Sequence, residues 1–196
     1  MNMNARNPLL VVLTGSGKGK TTTSLGMAVR ALGAGLRVGY VCFDKGIPQI
    51  DDSTDGEFYS ERVILRQLSD VDLFTFGRCR VTSEGSFDFA NTDEDIAQAQ
   101  QALSTSRTLI ESGQYGMVVC DEILTCGCAS QLITRKEVLG LVDVYTQHGR
   151  PCHLVMTGRG AENWKQLIDR ADIVTEMRCV KHCYENGVDA QKGLDY

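Results

Sequence analysis

The feature that most constrains the fold of this chain is a glycine-rich segment, residues 14–22, which follows the first apolar run. Residues 9–14 predict a buried strand, and residues 21–32 predict a helix. A strand, a glycine-rich loop containing Gly-Lys-Thr and a helix form the context of a nucleotide-binding P-loop. Its glycines allow backbone N–H groups to surround an anion, and the N-terminus of the helix adds partial positive charge. The alternative is a glycine-rich turn that only opens a helix.

The residues of this phosphate loop, as residues 14–22 are called below, have different expected roles. Lys20 is expected to reach the phosphates, and the hydroxyl of Thr21 is expected to bind Mg²⁺. The common pattern has a glycine five residues before Gly19, where this chain has Thr14 instead. The sequence therefore predicts a phosphate cradle with a shifted glycine register. The residues expected to bind ATP are Gly15, Ser16, Gly17, Lys18, Gly19, Lys20, Thr21 and Thr22.

A second motif is an apolar run, residues 117–120, that ends in Asp121 and Glu122. In P-loop proteins such a strand lies beside the phosphate loop, and its carboxylate holds Mg²⁺ directly or through water. Mg²⁺ prefers oxygen ligands, which Thr21 and one of these carboxylates would provide. Taken alone, the motif is also compatible with two solvated acids at the end of a strand. In combination with the phosphate loop, it predicts a site for a nucleotide and Mg²⁺.

The size and charge of the chain restrict the class of protein. Its length of 196 residues favours one P-loop domain over residues 1–196. Its formal net charge of −5 gives no support for nucleic-acid binding. No apolar run approaches the roughly 20 residues that span a bilayer. Residues 1–7 contain no hydrophobic signal region and are expected to form a flexible tail. We therefore expect a cytoplasmic protein with no membrane partner.

The chain contains 8 cysteines, which in a cytoplasmic protein are expected to stay reduced. Three of them lie in or beside apolar runs and are expected to be small buried hydrophobic residues: Cys42, Cys120 and Cys152. The clusters at residues 126–128 and 179–183 offer metal ligands. Neither cluster has the paired C-x₂-C spacing that is typical of structural zinc, so a cysteine-held metal is a minor alternative.

Short β-rich runs alternate with helical stretches, which predicts right-handed crossovers and a mostly parallel sheet. The fold class is therefore α/β, a P-loop (RecA-like) domain with helices on both faces of the sheet. The strands are expected at residues 9–14, 38–43, 63–65, 117–120, 153–157 and 173–176. The helices are expected at residues 21–32, 93–112, 135–148 and 161–170.

The functional residues are expected at the carboxyl ends of the strands, where parallel sheets bind their ligands. The segments that follow strands, and should meet at this carboxyl edge, are the phosphate loop and residues 44–46, 121–122 and 157–160. Residues 46–60 and 77–91 are predicted to be loops. The polar tail from residue 185 to 196 is expected on the surface or in a subunit contact.

Segments spread from residue 9 to 196 share their motifs with one family. They include the phosphate loop with its shifted glycines, residues 41–46 with a Phe-x-Lys-Gly ending, and residues 118–123 with the two acids. The most specific match is C-terminal, where residues 157–160 are followed by residues 171–177, 180–182 and 187–196. With these motifs the chain resembles the P-loop class of ATP:corrinoid adenosyltransferases over nearly its whole length.

The resemblance implies that a Co(I) corrinoid attacks the 5′ carbon of ATP, so that the adenosyl group moves to cobalt and triphosphate leaves. Mg²⁺, Lys18, Lys20 and the loop N–H groups would stabilise the leaving triphosphate. By position in the family pattern, Glu122 is favoured as the metal ligand with Thr21 as its partner, and Asp121 is the alternative. Lys20, Thr21 and Glu122 are thus the implied catalytic residues.

The family also implies features beyond the transfer step. Its members bind ATP with the triphosphate reversed in the loop, which would account for the shifted glycine register. The resemblance further implies a homodimer and a flavoprotein reductant. Two other functions remain open from the residues alone: another P-loop kinase or NTPase, and a non-catalytic relative that binds ATP or a corrinoid.

One segment departs from the family pattern. The family has a Gly-Phe-Thr-Trp-like segment before its long helix, whose aromatic rings help to displace the lower ligand of the corrinoid. Residues 76–89 of this chain contain no tryptophan. Phe87 and Phe89 are expected either to cover the apolar corrin surface or to anchor the loop on the core. Arg159 is expected to contact a phosphate or the corrinoid, or to act as a capping or salt-bridge arginine.

Overall fold

The computed structural model describes residues 7–46, 59–78, 80, 88, 90–189 and 191–195. The strands in these ranges are β1 (Leu10–Thr14), β2 (Val38–Cys42), β3 (Val71–Thr75), β4 (Met117–Asp121), β5 (His153–Thr157) and β6 (Ile173–Glu176). The helices are α1 (Lys20–Gly33), α2 (Ser60–Leu65), α3 (Asp93–Ser112), α4 (Ile123–Cys128), α5 (Arg135–Gln147) and α6 (Lys165–Ile168), and a 3₁₀ helix covers Cys183–Asn186. The tail predicted over residues 1–7 lies outside the described residues except for Asn7.

The strands in the described ranges form one six-stranded sheet in the order β3-β2-β4-β5-β1-β6, and each pair of neighbours is parallel. Strand β5 lies between β1 and β4, so the strand with the two acids is not the direct neighbour of the strand that leads into the phosphate loop. Helix α1 packs across both β5 and β4. The carboxyl end of β4 therefore still meets the start of α1. The parallel pairing of all neighbouring strands confirms the predicted parallel sheet.

The side chains of the sheet alternate between two hydrophobic clusters, because successive residues of a strand point to opposite faces. In β1, Leu10 and Val12 pack in a cluster with α3, α4, α5 and α6. Val11 and Leu13 pack in a second cluster with α1 and α2. Both faces of the sheet are thus covered by helices, as the sequence predicts, and the central strands are buried on both sides.

Two helices begin where the sequence places them because each starts with a capping box. Thr92 accepts a hydrogen bond from the backbone of Asp95 and the Asp95 carboxylate accepts one from the Thr92 N–H. Thr134 and Glu137 make the same reciprocal pair at the start of α5.

Among the described residues, no helix is both long enough and apolar enough to cross a membrane.

The structure corrects three of the predicted elements. Residues 63–65, predicted as a strand, lie in α2, where Val63 and Ile64 are exposed and only Leu65 is buried. Strand β3 was not predicted, because Asp72 interrupts its apolar run; the Asp72 carboxylate accepts a hydrogen bond from the Tyr115 hydroxyl at 2.7 Å. The helix predicted over residues 161–170 is reduced to α6, and the short helix α4 was not predicted.

Candidate active site

The phosphate loop connects β1 to α1 through two glycines with positive φ angles. Gly15 has φ 108° and Gly19, which precedes the first residue of α1, has φ 107°. Side chains other than glycine rarely adopt such angles, so these two positions require glycine. Among the described residues, no side chain caps the N-terminus of α1, in contrast to α3 and α5. The N–H groups of the first turn are therefore directed toward the loop, as anion binding requires.

Lys20 is held inside the phosphate loop. Its side chain is buried, and its ammonium donates hydrogen bonds of 2.8 Å to the carbonyls of Gly15 and Gly17. Burial, together with the positive charge of Arg159, lowers the pKa of Lys20, while the carboxylates of Glu122 and Asp121 oppose the shift. The loop thus surrounds the ammonium that is expected to meet the phosphates.

The hydroxyl of Thr21 lies against Asp121, at the carboxyl end of β4. Thr21 Oγ1 donates to the two carboxylate oxygens at 3.1 and 3.2 Å, and the Thr157 hydroxyl donates to Asp121 at 2.7 Å. Asp121 is completely buried. The ammonium of Lys45 completes the cluster, 2.5 Å from Asp121 Oδ2 and 3.0 Å from Thr21 Oγ1.

The carboxylate of Glu122 has a different hydroxyl partner from the carboxylate of Asp121. Glu122 has φ 66° and precedes α4; its N–H donates to the Thr157 hydroxyl at 2.9 Å. Its carboxylate accepts a hydrogen bond from the Thr125 hydroxyl. In this structure Asp121, the alternative acid, contacts Thr21, and which of the two carboxylates binds the metal stays a prediction.

The donor set fits Mg²⁺. The Thr21 hydroxyl and the Asp121 carboxylate are hard oxygen ligands that converge at the end of the phosphate loop. Few protein ligands are needed there, because phosphate oxygens and water complete the coordination of Mg²⁺ in such sites. Within the described part of the chain, no group of three or more His, Cys, Asp or Glu side chains is placed to hold a metal ion.

Thr14 occupies the position where a glycine is more common, and its side chain has a structural role. It is fully buried, and its hydroxyl accepts a hydrogen bond from the Ala161 N–H at 3.2 Å and donates one to Glu162 Oε1 at 3.3 Å. Burial raises the pKa of Glu162, but hydrogen bonds from backbone N–H groups and from Thr14 lower it overall. Thr14 thus ties the end of β1 to the turn after β5.

Arg159 lies beside the phosphate loop, as predicted for the carboxyl edge. Its guanidinium donates to the carbonyl of Ser16 at 2.8 Å, and its backbone N–H donates to the Thr125 hydroxyl at 2.9 Å. Arg159 is exposed, and its positive charge acts on Lys20 within the loop. This position is compatible with a contact to a phosphate or to the corrinoid.

The C-terminal part of the chain packs against the phosphate loop, which sequence reasoning missed. The Gly17 N–H donates to the carbonyl of Met177 at 2.8 Å. Further along, Asp195 pairs with Lys18, and residues 193–195 line a cavity of about 330 Å³ together with Thr21. The tail, expected on the surface or in a subunit contact, is largely exposed but borders the loop. No sequence signal predicts this contact, because the two segments are far apart in the chain.

Two of the predicted corrinoid residues, Phe87 and Phe89, lie outside the described residues, as do most of the predicted loops at 46–60 and 77–91. The parts of the second loop that are described are anchored by ion pairs. Arg80 pairs with Asp44 at 2.8 Å, and Arg78 pairs with Asp95 at 3.0 Å. These pairs place the base of the loop beside residues 44–46 at the carboxyl edge.

A glycine-rich loop before a helix, a buried lysine within it and a hydroxyl–carboxylate pair at its end define a P-loop nucleotide-binding protein. The family model for the ATP:corrinoid adenosyltransferases BtuR/CobO/CobP matches residues 6–196. The chain belongs to this family.

Curated relatives support the same assignment. The corrinoid adenosyltransferase of Pseudomonas aeruginosa is 33% identical over 191 residues, which cover 96% of this chain and 83% of that protein. The corrinoid adenosyltransferase CobA of Salmonella typhimurium is 34% identical, with 96% of this chain and 85% of the relative covered. Among solved structures, the flagellar accessory protein FlaH from Methanocaldococcus jannaschii matches with a TM-score of 0.50 and 12% identity, over 86% of this chain and 70% of that chain. That likeness concerns the fold alone.

Proposed function

We propose that the protein transfers the 5′-deoxyadenosyl group of ATP to the cobalt of a reduced corrinoid, with Mg²⁺ bound at Thr21 and Asp121. The observation that supports this most is the family match over residues 6–196, which includes both the phosphate loop and the C-terminal segment packed on it. The corrinoid adenosyltransferase names of the relatives support the same reaction class.

The proposed step is a nucleophilic displacement at carbon. The electron pair of Co(I) forms a cobalt–carbon bond to C5′, the bond between C5′ and the triphosphate oxygen breaks, and its electron pair leaves with triphosphate. The cobalt is formally oxidised to Co(III) by this step. The nucleophile carries no proton, so no general base is required, and the protein's tasks are alignment and stabilisation of the leaving group.

The residues near the loop suit the stabilisation of a polyphosphate. Lys20 lies within the loop, Lys18 and Arg159 lie on its exposed side, and the first turn of α1 presents backbone N–H groups. Mg²⁺ bound by Thr21 and Asp121 would supply additional positive charge to the triphosphate. To carry out this role, Lys20 has to exchange its two carbonyl partners for phosphate oxygens.

The proposal is tested by anaerobic incubation with ATP, Mg²⁺ and chemically reduced cobalamin, following the absorbance of the adenosylated product and the release of triphosphate. Lys20→Ala is expected to lower the rate by about 10²-fold or more, because it removes a donor to the leaving group. The matched control is Lys165→Ala, which removes an exposed lysine of α6 that pairs with Asp169. Its rate of adenosyl transfer should be unchanged. Release of ADP instead of triphosphate would identify a kinase and contradict the proposal.

The corrinoid side is tested with Phe87→Ala and Phe89→Ala. If these rings cover the corrin, both variants should keep their affinity for ATP and lose rate or corrinoid affinity. A protein that binds ATP normally but forms no adenosylated product with any reduced corrinoid would be the non-catalytic relative. Four properties stay predictions: the preferred corrinoid, the homodimer, the flavoprotein reductant and the cytoplasmic location. Rates of adenosyl transfer with cobalamin and with cobyrinic acid a,c-diamide would distinguish the two candidate substrates.

A further inference from the structure

The ammonium of Lys45 is bound to the same two groups that are proposed to hold Mg²⁺. It lies 2.5 Å from Asp121 Oδ2 and 3.0 Å from Thr21 Oγ1. The side chains of Lys45 and Asp121 are 13% and 1% exposed, so this ion pair is largely removed from water. A magnesium ion binds its oxygen ligands at about 2.1 Å. A metal bound through these oxygens would therefore compete with the ammonium for the same space and the same lone pairs.

The backbone around Lys45 is anchored independently of its ammonium. The Lys45 N–H donates to the carbonyl of Phe76 at 2.9 Å, and the guanidinium of Arg62 donates to the Lys45 carbonyl. Gly46 packs so tightly against the chain at Gly77 that a Cβ would lie 2.2 Å from the Gly77 carbonyl oxygen. Because these contacts hold the main chain, the flexible side chain of Lys45 is able to leave Asp121 without unfolding of the strand end.

The charge of Lys45 matters because Asp121 has few other partners among the described residues. Within these residues, the other hydrogen bonds to its carboxylate come from the hydroxyls of Thr21 and Thr157. Hydroxyl groups donate hydrogen bonds but do not neutralise a buried carboxylate, and a buried charge without a counter-charge is strongly unfavourable. A cation is thus required near Asp121; among the described residues Lys45 is bonded directly to its carboxylate, and Lys20 lies within electrostatic reach.

We propose that Lys45 is a built-in counter-ion of the metal site: its ammonium holds Thr21 and Asp121 together before the metal arrives, and Mg²⁺ must displace it to bind. Lys45 is a positioning residue in this scheme. The inference rests on the proposed binding of Mg²⁺ by Thr21 and Asp121. It predicts that the protein without nucleotide binds divalent cations weakly, and that loss of the Lys45 charge makes the site available.

The test uses the full chain without nucleotide or corrinoid, with Mn²⁺ as the probe in electron paramagnetic resonance titrations. Lys45→Met, which keeps the length of the side chain and removes its charge, is expected to bind one Mn²⁺ at least about 10-fold more tightly than the unchanged protein. The double variant with Asp121→Asn should lose this gain. Arg178→Met removes an exposed positive charge beside the same loop but not from this pair, and is expected to differ from the unchanged protein by less than about 3-fold.

A gain in Lys45→Met no larger than that in Arg178→Met would overturn the proposal, because it would show only a general loss of positive charge. Thermal unfolding gives a second readout. Lys45→Met should unfold at a lower temperature than the unchanged protein in EDTA and recover with Mg²⁺, whereas the unchanged protein should respond little to Mg²⁺ alone. No recovery with Mg²⁺ would contradict the proposal.

If Lys45→Met does not fold, acetylation of the unchanged protein decides the question. With a nucleotide in EDTA, Lys45 should be protected by Asp121; with the same nucleotide and Mg²⁺, its acetylation should increase, as read by peptide mass spectrometry. Equal protection in both conditions would reject displacement. Since none of these measurements involves a corrinoid, a negative result with normal adenosyl transfer would reject only the role of Lys45.

Discussion

The backbone N–H of Gly17 donates a hydrogen bond of 2.8 Å to the carbonyl of Met177, which ties the phosphate loop to the segment after β6. A Cβ on Gly15 would lie 2.2 Å from the Met177 oxygen, and one on Gly17 would lie 2.7 Å from the carbonyl carbon of Arg178. Two of the shifted glycines are thus the positions at which the C-terminal segment passes over the loop. The close packing of this segment is therefore one cause of their register within the protein.

Gly17→Ala is expected to destabilise the protein by about 1–3 kcal/mol, because the added methyl group meets backbone atoms that cannot rotate away. It should also weaken ATP binding, since the loop and residues 177–178 have to separate. Urea unfolding and ATP titration measure the two effects. Gly17 has no positive φ, so the cause is steric.

The control for this prediction is Gly26→Ala in α1. Among the described residues, and apart from its chain neighbours and the backbone of its own helix, no atom lies within 4 Å of the position where its Cβ would be. Alanine in a helix interior is more favourable than glycine by about 0.5–1 kcal/mol, so this variant should be slightly stabilised. If Gly17→Ala were as stable as Gly26→Ala and bound ATP normally, the close packing of the C-terminal segment would not be what requires glycine at position 17.

Thr14→Val is expected to lower the free energy of unfolding by about 1–2 kcal/mol, because it leaves the Ala161 N–H and the Glu162 carboxylate without the Thr14 hydroxyl. Thr14→Gly, which restores the common P-loop pattern, should also lose stability. Thr14→Ser keeps the hydroxyl and should recover most of the loss caused by valine. Equal stability of the serine and valine variants would show that the hydroxyl is not the stabilising group.

The parts of the fold that could be predicted from sequence are those with a local signal. The helices α3 and α5 were placed within a residue of their observed ends, because Thr92 and Thr134 cap them and glycines follow. The prediction of a strand at residues 63–65 was wrong because a run of three apolar residues does not distinguish a strand from one turn of a helix. Strand β3 was not predicted because Asp72 contacts its partners, Arg37 and Tyr115, only in the folded protein.

The same distinction applies to the site. Lys20 and Thr21 could be predicted because the motif is contiguous in sequence and has a known geometry. The contacts of Asp121 with Thr21 and of Glu122 with Thr125 could not be predicted, since they depend on how the end of β4, α1 and α4 meet in the folded protein. The position of Lys45 against Asp121 depends on strands β2 and β4 being neighbours, a relationship that exists only in the sheet.

Asp121→Asn and Glu122→Gln are expected to separate the roles of the two acids. Asp121→Asn should abolish the effect of Mg²⁺ on ATP affinity, because it removes the charge that faces Thr21. Glu122→Gln should retain that effect, since its side chain is directed to Thr125. Isothermal titration of ATP with and without Mg²⁺ makes the comparison. The opposite pattern would restore Glu122 as the metal ligand that the family resemblance favoured.

The cysteines are expected to differ widely in reactivity because of their burial. Burial raises the pKa of the Cys42 and Cys120 thiols to about 12, and it also raises the pKa of Cys126. At pH 8 a thiol of pKa 12 is ionised in only about one molecule in 10⁴, and the thiolate is the reactive form. Iodoacetamide at pH 8 should therefore modify the exposed Cys179 and Cys183 first, as mapped by peptide mass spectrometry, and the buried thiols only after unfolding in urea. Raising the pH to 9 should leave the buried thiols protected from modification. Rapid modification of these thiols in the folded protein would mean that the core around β2 and β4 opens far more readily than its packing indicates.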